Sequence, residues 1–547
     1  MNIQKIFFAV LSLSLFITSC SKSTELSDSI PADAVYIVNF DNKALIEKSE
    51  YDIFQNPVVQ QGINMYKAFL RDQDKVAMLD EFLKDPNSIW LDVKKDFYFY
   101  TNYKTYGFLL GVNDSEKFRN ALLKFLPIKE EDILKEDNVY TISPESMVTV
   151  AWDKNKLLFL VDMTAVYGRA GNDPASIDLK KQAIDQIKQD KDKSINSVKS
   201  FAGFIQKKKD ISVFYNLDGM GNMFNMISTS AVPMEKLMPL QGMVEQFKGV
   251  SMGMYTSFEK GEVKVAGEYY YDSAETEKKF KDLVLSTMNN IKGDQLKYVG
   301  ENPLFVISTN MKGEGIYQYL TQLGFLDLLQ KEISGPVTIE QIGQLIKNVE
   351  GDFTFAVTSL EEKKIDMSEL GEDFYFHEDI TQTVPNIMLF AEMKDADSVL
   401  SFIKGLMDQE GGKYAEVSPS VILYQMSGMK FYIGVNSNTF FVTNSDYVYE
   451  NLNNTGLNNY YAGRIKNKMM YMGGELESLK PYVEESRDFR MLAGFINEMG
   501  KYEIATTSGE LSAEGKLEFK NKDKNSLAVI CQQIDSMISN IRSPFGF

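Results

Sequence analysis

Gly107-Phe-Leu-Leu-Gly-Val-Asn-Asp-Ser-Glu-Lys-Phe-Arg-Asn-Ala-Leu-Leu-Lys-Phe125 reads as a strand, an acidic step and an amphipathic helix. The apolar run up to Val112 suits a buried strand. Asp114 can accept from the orphan N–H groups of the next helix. Phe118, Leu122 and Phe125 then share one helical face. The same order returns at Gly267–Leu285, at Ile387–Met407 and at Gly515–Met537. Asp272 and Asp395 hold the place of Asp114, and Leu517 alternates with Phe519. Caps explain these carboxylates without catalysis.

A second element stands upstream of each copy, a strand followed by a small-residue step and a helix. It reads Ala34–Asp41, Ile211–Asp218, Pro303–Asn310 and Lys468–Gly473. A hairpin follows copies one and three, with turns at Asp153–Asn155 and Asn436–Asn438. These repeats predict an α+β fold, internally duplicated, with four related strand–helix–antiparallel-sheet units in two halves. The first half spans about 31–295, with units 31–164 and 210–295. Between them lies a connector, 165–209, with two helical stretches, Ile177–Lys188 and Ile195–Ile205. The second half spans 300–547, with units 300–449 and 465–547. It has a short Asn-rich link, Leu452–Tyr461, and an acidic, aromatic insertion, Leu360–Pro385.

Composition narrows the function classes. The chain has 547 residues, 44% apolar and 24% charged, as in ordinary globular proteins. Its 58 basic and 76 acidic residues leave a net charge of −18. Such a surface repels phosphate, which argues against a nucleic-acid partner. The only histidine is His377, and the only cysteines are Cys20 and Cys531. Zinc sites built on His and Cys, iron–sulfur clusters and disulfide scaffolds are therefore excluded within one mature chain. No metal and no cofactor is expected. Cys531, in an apolar run, reads as a buried inert thiol.

The N-terminus carries the address. Lys5 gives a positive start, Ile6–Ile17 a twelve-residue apolar run, and Ile17-Thr-Ser-Cys20 a small-residue step before cysteine. Twelve residues are short for a membrane span and fit the apolar core of a secretory signal. The pattern resembles a bacterial lipoprotein signal. That resemblance implies a signal peptide over 1–19, cleavage before Cys20 and lipidation of Cys20. Each buried methylene of the lipid would add ~0.8 kcal/mol of anchoring. Residues 20–30 read as a polar tether. The expected location is the Gram-negative envelope, at the outer membrane. The acidic residues after Cys20 are sparse and late, so they do not decide between a periplasmic face and a surface-exposed one.

The opening Ile30-Pro-Ala-Asp-Ala-Val-Tyr-Ile-Val-Asn-Phe-Asp41, with Leu45–Ser49 behind it, resembles the start of a large family of Gram-negative lipoproteins. That family is described as domain of unknown function 4836. The likeness covers essentially the whole mature chain. It implies an exported, lipid-anchored protein and brings no catalytic residue, ligand or activity.

Several motifs touch on chemistry. Gly249-Val-Ser251-Met-Gly253 matches the G-x-S-x-G nucleophile elbow, which needs a strand before its serine and a helix after it. Here the order is inverted, and His377, the only candidate base, lies in the distant insertion. Gly219-Met-Gly221 and Gly313-Glu-Gly315 follow strands as dinucleotide loops do, but neither has a third glycine at the expected place. Turn and cap roles account for both. Asn521-Lys-Asp-Lys-Asn525 lacks the glycine and terminal glutamate of a calcium loop. Lys207-Lys-Lys209 reads as a solvated face. The 27 methionines, dense over Met220–Met254 and Met469–Met499, read as core packing or as an adaptable apolar groove. Tyr269-Tyr-Tyr271 places Tyr270 opposite its neighbours, with one or two rings expected at the surface.

The expected function is a non-enzymatic, lipid-anchored envelope protein that binds or scaffolds, with an envelope protein as partner. The first alternative is a carrier of an apolar ligand in a Met/aromatic groove. The second is a carboxylate-dependent hydrolase, because two acids can cleave glycosides without histidine.

Overall fold

The computed structural model describes residues 25–70, 72–84, 90–163, 178–219, 221, 242, 244–332, 337–365, 380–409, 411–426, 429–485 and 492–540. Cys20, the leader before it and His377 lie outside the described residues. So do 366–379 of the insertion and most of the methionine-rich stretch 220–243. The fold mixes α-helices with antiparallel sheet, as the repeats predicted. It forms two compact units. The first runs up to Glu277 and resumes at Asn521, and the second is Lys278–Lys520.

The strands of the first unit are β1 (Tyr36–Phe40), β2 (Leu91–Asp92), β3 (Phe97–Thr101), β4 (Thr105–Val112), β5 (Leu134–Glu136) and β6 (Val139–Glu145). They continue with β7 (Val148–Trp152), β8 (Lys156–Asp162), β9 (Ile211–Asn216), β10 (Val250–Glu259) and β11 (Glu262–Tyr271). All neighbours are antiparallel, in the order β5-β6-β7-β8-β4-β3-β1-β9-β10-β11. The short β2 extends the β3 side of β4.

β4 is buried along nearly all its length because both faces of the sheet are covered. Leu109 enters one core with Ile37, Leu158, Phe201 and Phe214. Phe108 and Leu110 enter the other with Phe118 and Trp152. Helix Ser115–Phe125 covers that second face, and its cap forms as expected, with Asp114 accepting from the Glu116 and Lys117 amides. Gly107 is needed for a close approach. A Cβ there would lie 2.1 Å from the Tyr100 ring.

The second unit holds β12 (Met288–Asn289), β13 (Phe305–Lys312), β14 (Val349–Ile365), β15 (Ile380–Met393), β16 (Tyr414–Ser418) and β17 (Val421–Met426). It ends with β18 (Met429–Asn436), β19 (Thr439–Thr443), β20 (Lys468–Glu475), β21 (Met499–Thr507) and β22 (Ala513–Phe519). Its order is β16-β17-β18-β19-β15-β14-β13-β20-β21-β22, again antiparallel throughout. One core gathers Val306, Met388, Phe390, Tyr461 and Tyr471. The other gathers Val399, Leu400, Ile422 and Phe440.

Four sequence expectations meet a different structure. The stretch 165–209 is no mere connector. Its helices Leu179–Lys188 and Lys199–Ile205 carry Ile184, Ile187, Phe201 and Phe204 into the first core. The expected units 31–164 and 210–295 share one sheet, because β1 pairs with both β3 and β9. The described ends of the insertion Leu360–Pro385 are the arms of one long hairpin, with Ile365 opposite Ile380. The C-terminal helix Ser526–Asn540 belongs to the first unit, not to a second half ending at 547. Ser526 Oγ donates to the Glu262 carbonyl at 2.9 Å and Asn525 Nδ2 to the Phe258 carbonyl at 3.0 Å.

The tether also ends early. Leu26 and Ile30 are buried in the first core. The polar residues between them are bonded in turn. Lys156 Nζ reaches Ser29 Oγ at 2.8 Å, Asn196 Nδ2 reaches Ser27 Oγ and Asp28 at 2.9 Å, and Gln189 Nε2 reaches the Asp28 carbonyl at 2.7 Å. The serines and acid that suggested a solvated linker are instead satisfied hydrogen-bonding groups of a docked segment.

Candidate functional site

The loop before β20 contains Tyr461-Ala-Gly-Arg464, and the strands after it alternate charged and aromatic residues. β20 presents Tyr471. β21 presents Glu503, opposite Gly473 on one side and Lys516 of β22 on the other. A Cβ at Gly473 would lie 2.8 Å from the Tyr471 hydroxyl, so glycine leaves room for that group. Together these residues wall a cavity of about 70 Å³ in the second unit. Four carboxylates, Glu301, Glu475, Glu503 and Glu518, and three cations, Arg464, Lys501 and Lys516, line it.

Tyr461 and Tyr471 are each 1% exposed and meet edge to face, with centroids 5.7 Å apart. The Arg464 guanidinium lies over the Tyr461 ring at 5.7 Å. Arg464 Nη1 donates to the Tyr471 hydroxyl, which donates to Glu503 Oε2, both at 3.4 Å. Lys516 Nζ stands 3.3 Å from Glu503 and 3.0 Å from Glu518. Lys501 Nζ donates to Asn302 at 2.9 Å. Among the described residues the buried Tyr461 hydroxyl has no hydrogen-bond partner.

Burial raises the pKa of both tyrosine hydroxyls, so they stay protonated and donate. The hydrogen bond to Glu518 raises the Lys516 pKa, which keeps its ammonium charged. These groups are suited to hold polar ligand groups and unsuited to serve as nucleophiles or bases near neutral pH.

Ser251 sits within β10, 3% exposed, and its hydroxyl donates to Ser200 Oγ at 3.2 Å. It occupies no strand-to-helix turn. Gly249, at φ +76°, is the turn that starts the strand. Three of the four paired glycines prove to be packing positions, whereas a Cβ at Gly221 would make only ordinary contact, 3.5 Å from Val244. A Cβ on Gly219 would lie 2.2 Å from Val35, one on Gly313 2.0 Å from the Ile346 carbonyl, and one on Gly315 1.9 Å from the Ser286 carbonyl.

Asn521 Oδ1 accepts from the Asp523 and Lys524 amides, and Asn525 Oδ1 from the Leu527 amide. Those oxygens of the calcium-like stretch are committed to turn and cap. Asp395 caps its helix at the Ser398 amide. After copy two Ser273 Oγ accepts from the Thr276 amide, the position expected of Asp272.

Lys207 and Lys208 pair with Glu268 at 2.5 Å and Asp96 at 2.6 Å, so this run is more than a solvated face. Tyr269, Tyr270 and Tyr271 are all half-buried, and Tyr270 hydrogen-bonds Tyr255. Cys531 is half-buried, and burial raises its thiol pKa, which disfavours the reactive thiolate. No group of three His, Cys, Asp or Glu side chains that could hold a metal occurs among the described residues. No helix among them is long and apolar enough to cross a membrane.

No single stretch of sequence marks the cavity, because its lining comes from four separated segments, 301–303, 461–475, 501–503 and 516–518. β20 carries the buried Tyr471 as its fourth residue, and β9 of the first unit carries the buried Phe214 as its fourth.

The chain belongs to the family described as a domain of unknown function (DUF4836), which matches residues 27–527. No curated protein and no solved structure matches the chain.

Proposed function

We propose that this chain is a lipid-anchored protein of the Gram-negative envelope that binds a ligand or partner and catalyses no reaction. The observation that carries the binding reading is the cavity of the second unit. Its hydroxyls are held protonated and Lys516 is held between two carboxylates, so it offers donors and acceptors without a hydroxyl or amine nucleophile. The buried, hydrogen-bonded setting of Ser251 argues against a serine hydrolase. An apolar carrier has less support, because charged side chains line the cavity. A carboxylate hydrolase has less still, since Glu503 and Glu518 both engage Lys516.

The chain is also a duplication of one α+β half, each half combining two strand–helix–sheet units. In support, the strand order of the second unit repeats that of the first, with β13 for β1 and β20-β21-β22 for β9-β10-β11. Anchoring rests on the leader and Cys20. The lipid is the route to the outer membrane, and an envelope protein is a candidate partner.

Cell fractionation of Cys20→Ala tests the anchor. The variant should leave the membrane fraction or accumulate unprocessed. Unchanged membrane association, with no lipid on the wild-type N-terminus, would overturn it. Co-purification from detergent-solubilised membranes tests the binding reading, through any protein or small molecule carried along.

A further inference from the structure

The two halves solve one packing problem with different chemistry. In the first unit Phe214 of β9 packs edge to face on Phe201, at 5.3 Å and 89°. In the second, Tyr471 of β20 packs on Tyr461, at 5.7 Å and 68°. Both pairs are buried. The pair in the first unit shows that phenylalanine suffices for packing. The tyrosine pair adds two hydroxyls to the interior, and one of them has no partner among the described residues. A buried donor left unsatisfied is costly, and native proteins rarely keep one without use.

Beside that donor stands an underused fork. Arg464 is exposed, has five N–H groups, and among the described residues makes one side-chain hydrogen bond, the 3.4 Å contact to Tyr471. A planar fork of that kind matches a carboxylate in two-point contact. Across the cavity Glu503 accepts from Tyr471 and faces Lys516. With four carboxylates against three cations, a dianionic phosphate is disfavoured, whereas a ligand carrying both charges is matched at both ends. The volume of about 70 Å³ suits a few heavy atoms and is too small for an oligosaccharide.

We propose that this cavity binds a small zwitterion, a free α-amino acid, with its carboxylate on Arg464 and its ammonium group on Glu503. The inference rests on the reading of the chain as a binding protein and names the class of ligand for it.

Isothermal titration calorimetry on the purified chain tests it, with glycine, alanine and serine as probes. Acetate, methylamine, inorganic phosphate and glucose are the comparison. At least one amino acid should bind saturably, at least tenfold more tightly than acetate or methylamine. Arg464→Ala and Glu503→Gln should each weaken it about tenfold or more. Tyr461→Phe should leave the melting temperature of the ligand-free chain unchanged or higher, because it removes an unsatisfied buried group. Absence of binding by all three amino acids overturns the inference, as does binding unchanged in Arg464→Ala. Binding of glucose or phosphate in place of the amino acids overturns the ligand class. If the amino acids fail while the membrane preparation carries a specific companion, only this inference falls and the binding reading stands.

Discussion

Gly313 opens helix Gly313–Gln322, and its reading as a packing glycine can be put to a quantitative test. A methyl group there would lie 2.0 Å from the Ile346 carbonyl oxygen and 2.5 Å from that of Val349. Ordinary contact needs about 3.4 Å, so this helix must part from helix Ile339–Asn348 and the strand after it by roughly 1 Å or more against rigid backbone. Overpacking of this kind costs about 1–3 kcal/mol, and carbonyls that cannot rotate away place Gly313→Ala near 3 kcal/mol. For a unit of this size that lowers the melting temperature by about 6–12 °C.

Gly405 supplies the control. It lies inside helix Ala396–Gln409 with no heavy atom within 4 Å of an added Cβ. Gly405→Ala should stabilise by about 0.5–1 kcal/mol through helix propensity alone. Thermal melts followed by far-UV circular dichroism read both variants. Both tryptophans, Trp90 and Trp152, belong to the first unit, so their fluorescence tracks that unit separately. If Gly313→Ala melts with the wild type or with Gly405→Ala, the packing account of this glycine fails, and a ligand-binding role for the loop returns.

Ile30→Ala should cost about 2–5 kcal/mol in urea unfolding, because the side chain is fully buried in the first core; a loss under about 1 kcal/mol would mean the segment is not docked. Ser251→Ala should cost about 1 kcal/mol, the worth of one hydrogen bond, and a serine-directed probe should label neither form; labelling lost on substitution would restore a nucleophile. Asp352 gives a pH test. Its carboxylate is buried, accepts from the Lys292 and Gly293 amides and Asn310, and lies near Glu392. Desolvation raises its pKa above 3.8, so the folded state binds the proton more tightly than the unfolded chain. The stability this contributes is complete below the unfolded value and is lost as pH rises through the folded one. The stability difference between wild type and Asp352→Asn should therefore shift against the wild type from about pH 3.5 to about pH 6.5; a difference that moves the other way refutes the sign.

Much of the fold was legible because its signals are local. A strand, an acidic cap and an apolar face lie within one stretch, and Asp114 and Asp395 cap as their spacing implied. What sequence could not carry was pairing at a distance. Nothing near Val35–Phe40 announces that β1 is the common neighbour of β3 and β9. Polar composition misled at Ser27–Ser29, where partners come from Lys156, Gln189 and Asn196 far along the chain. The candidate site was hidden for the same reason. Tyr461, Glu503 and Lys516 are unremarkable singly and acquire meaning only once β20, β21 and β22 lie side by side.

If Cys20 is lipidated as proposed, the docking of Leu26–Ile30 limits how far the body can stand from a bilayer. On the proposed anchoring at Cys20, Leu26 lies six residue steps from the lipid, a leash that reaches at most about 20 Å. The full sequence carries a net charge of −18 and its first 24 residues hold no acid, so an anionic leaflet pushes the body away over a screening distance of about 8 Å. Leash and repulsion together fix a standing height between those two lengths. A protein held so close samples its surroundings in two dimensions, so it meets what diffuses along the lipid surface far more often than what passes through the fluid beyond it.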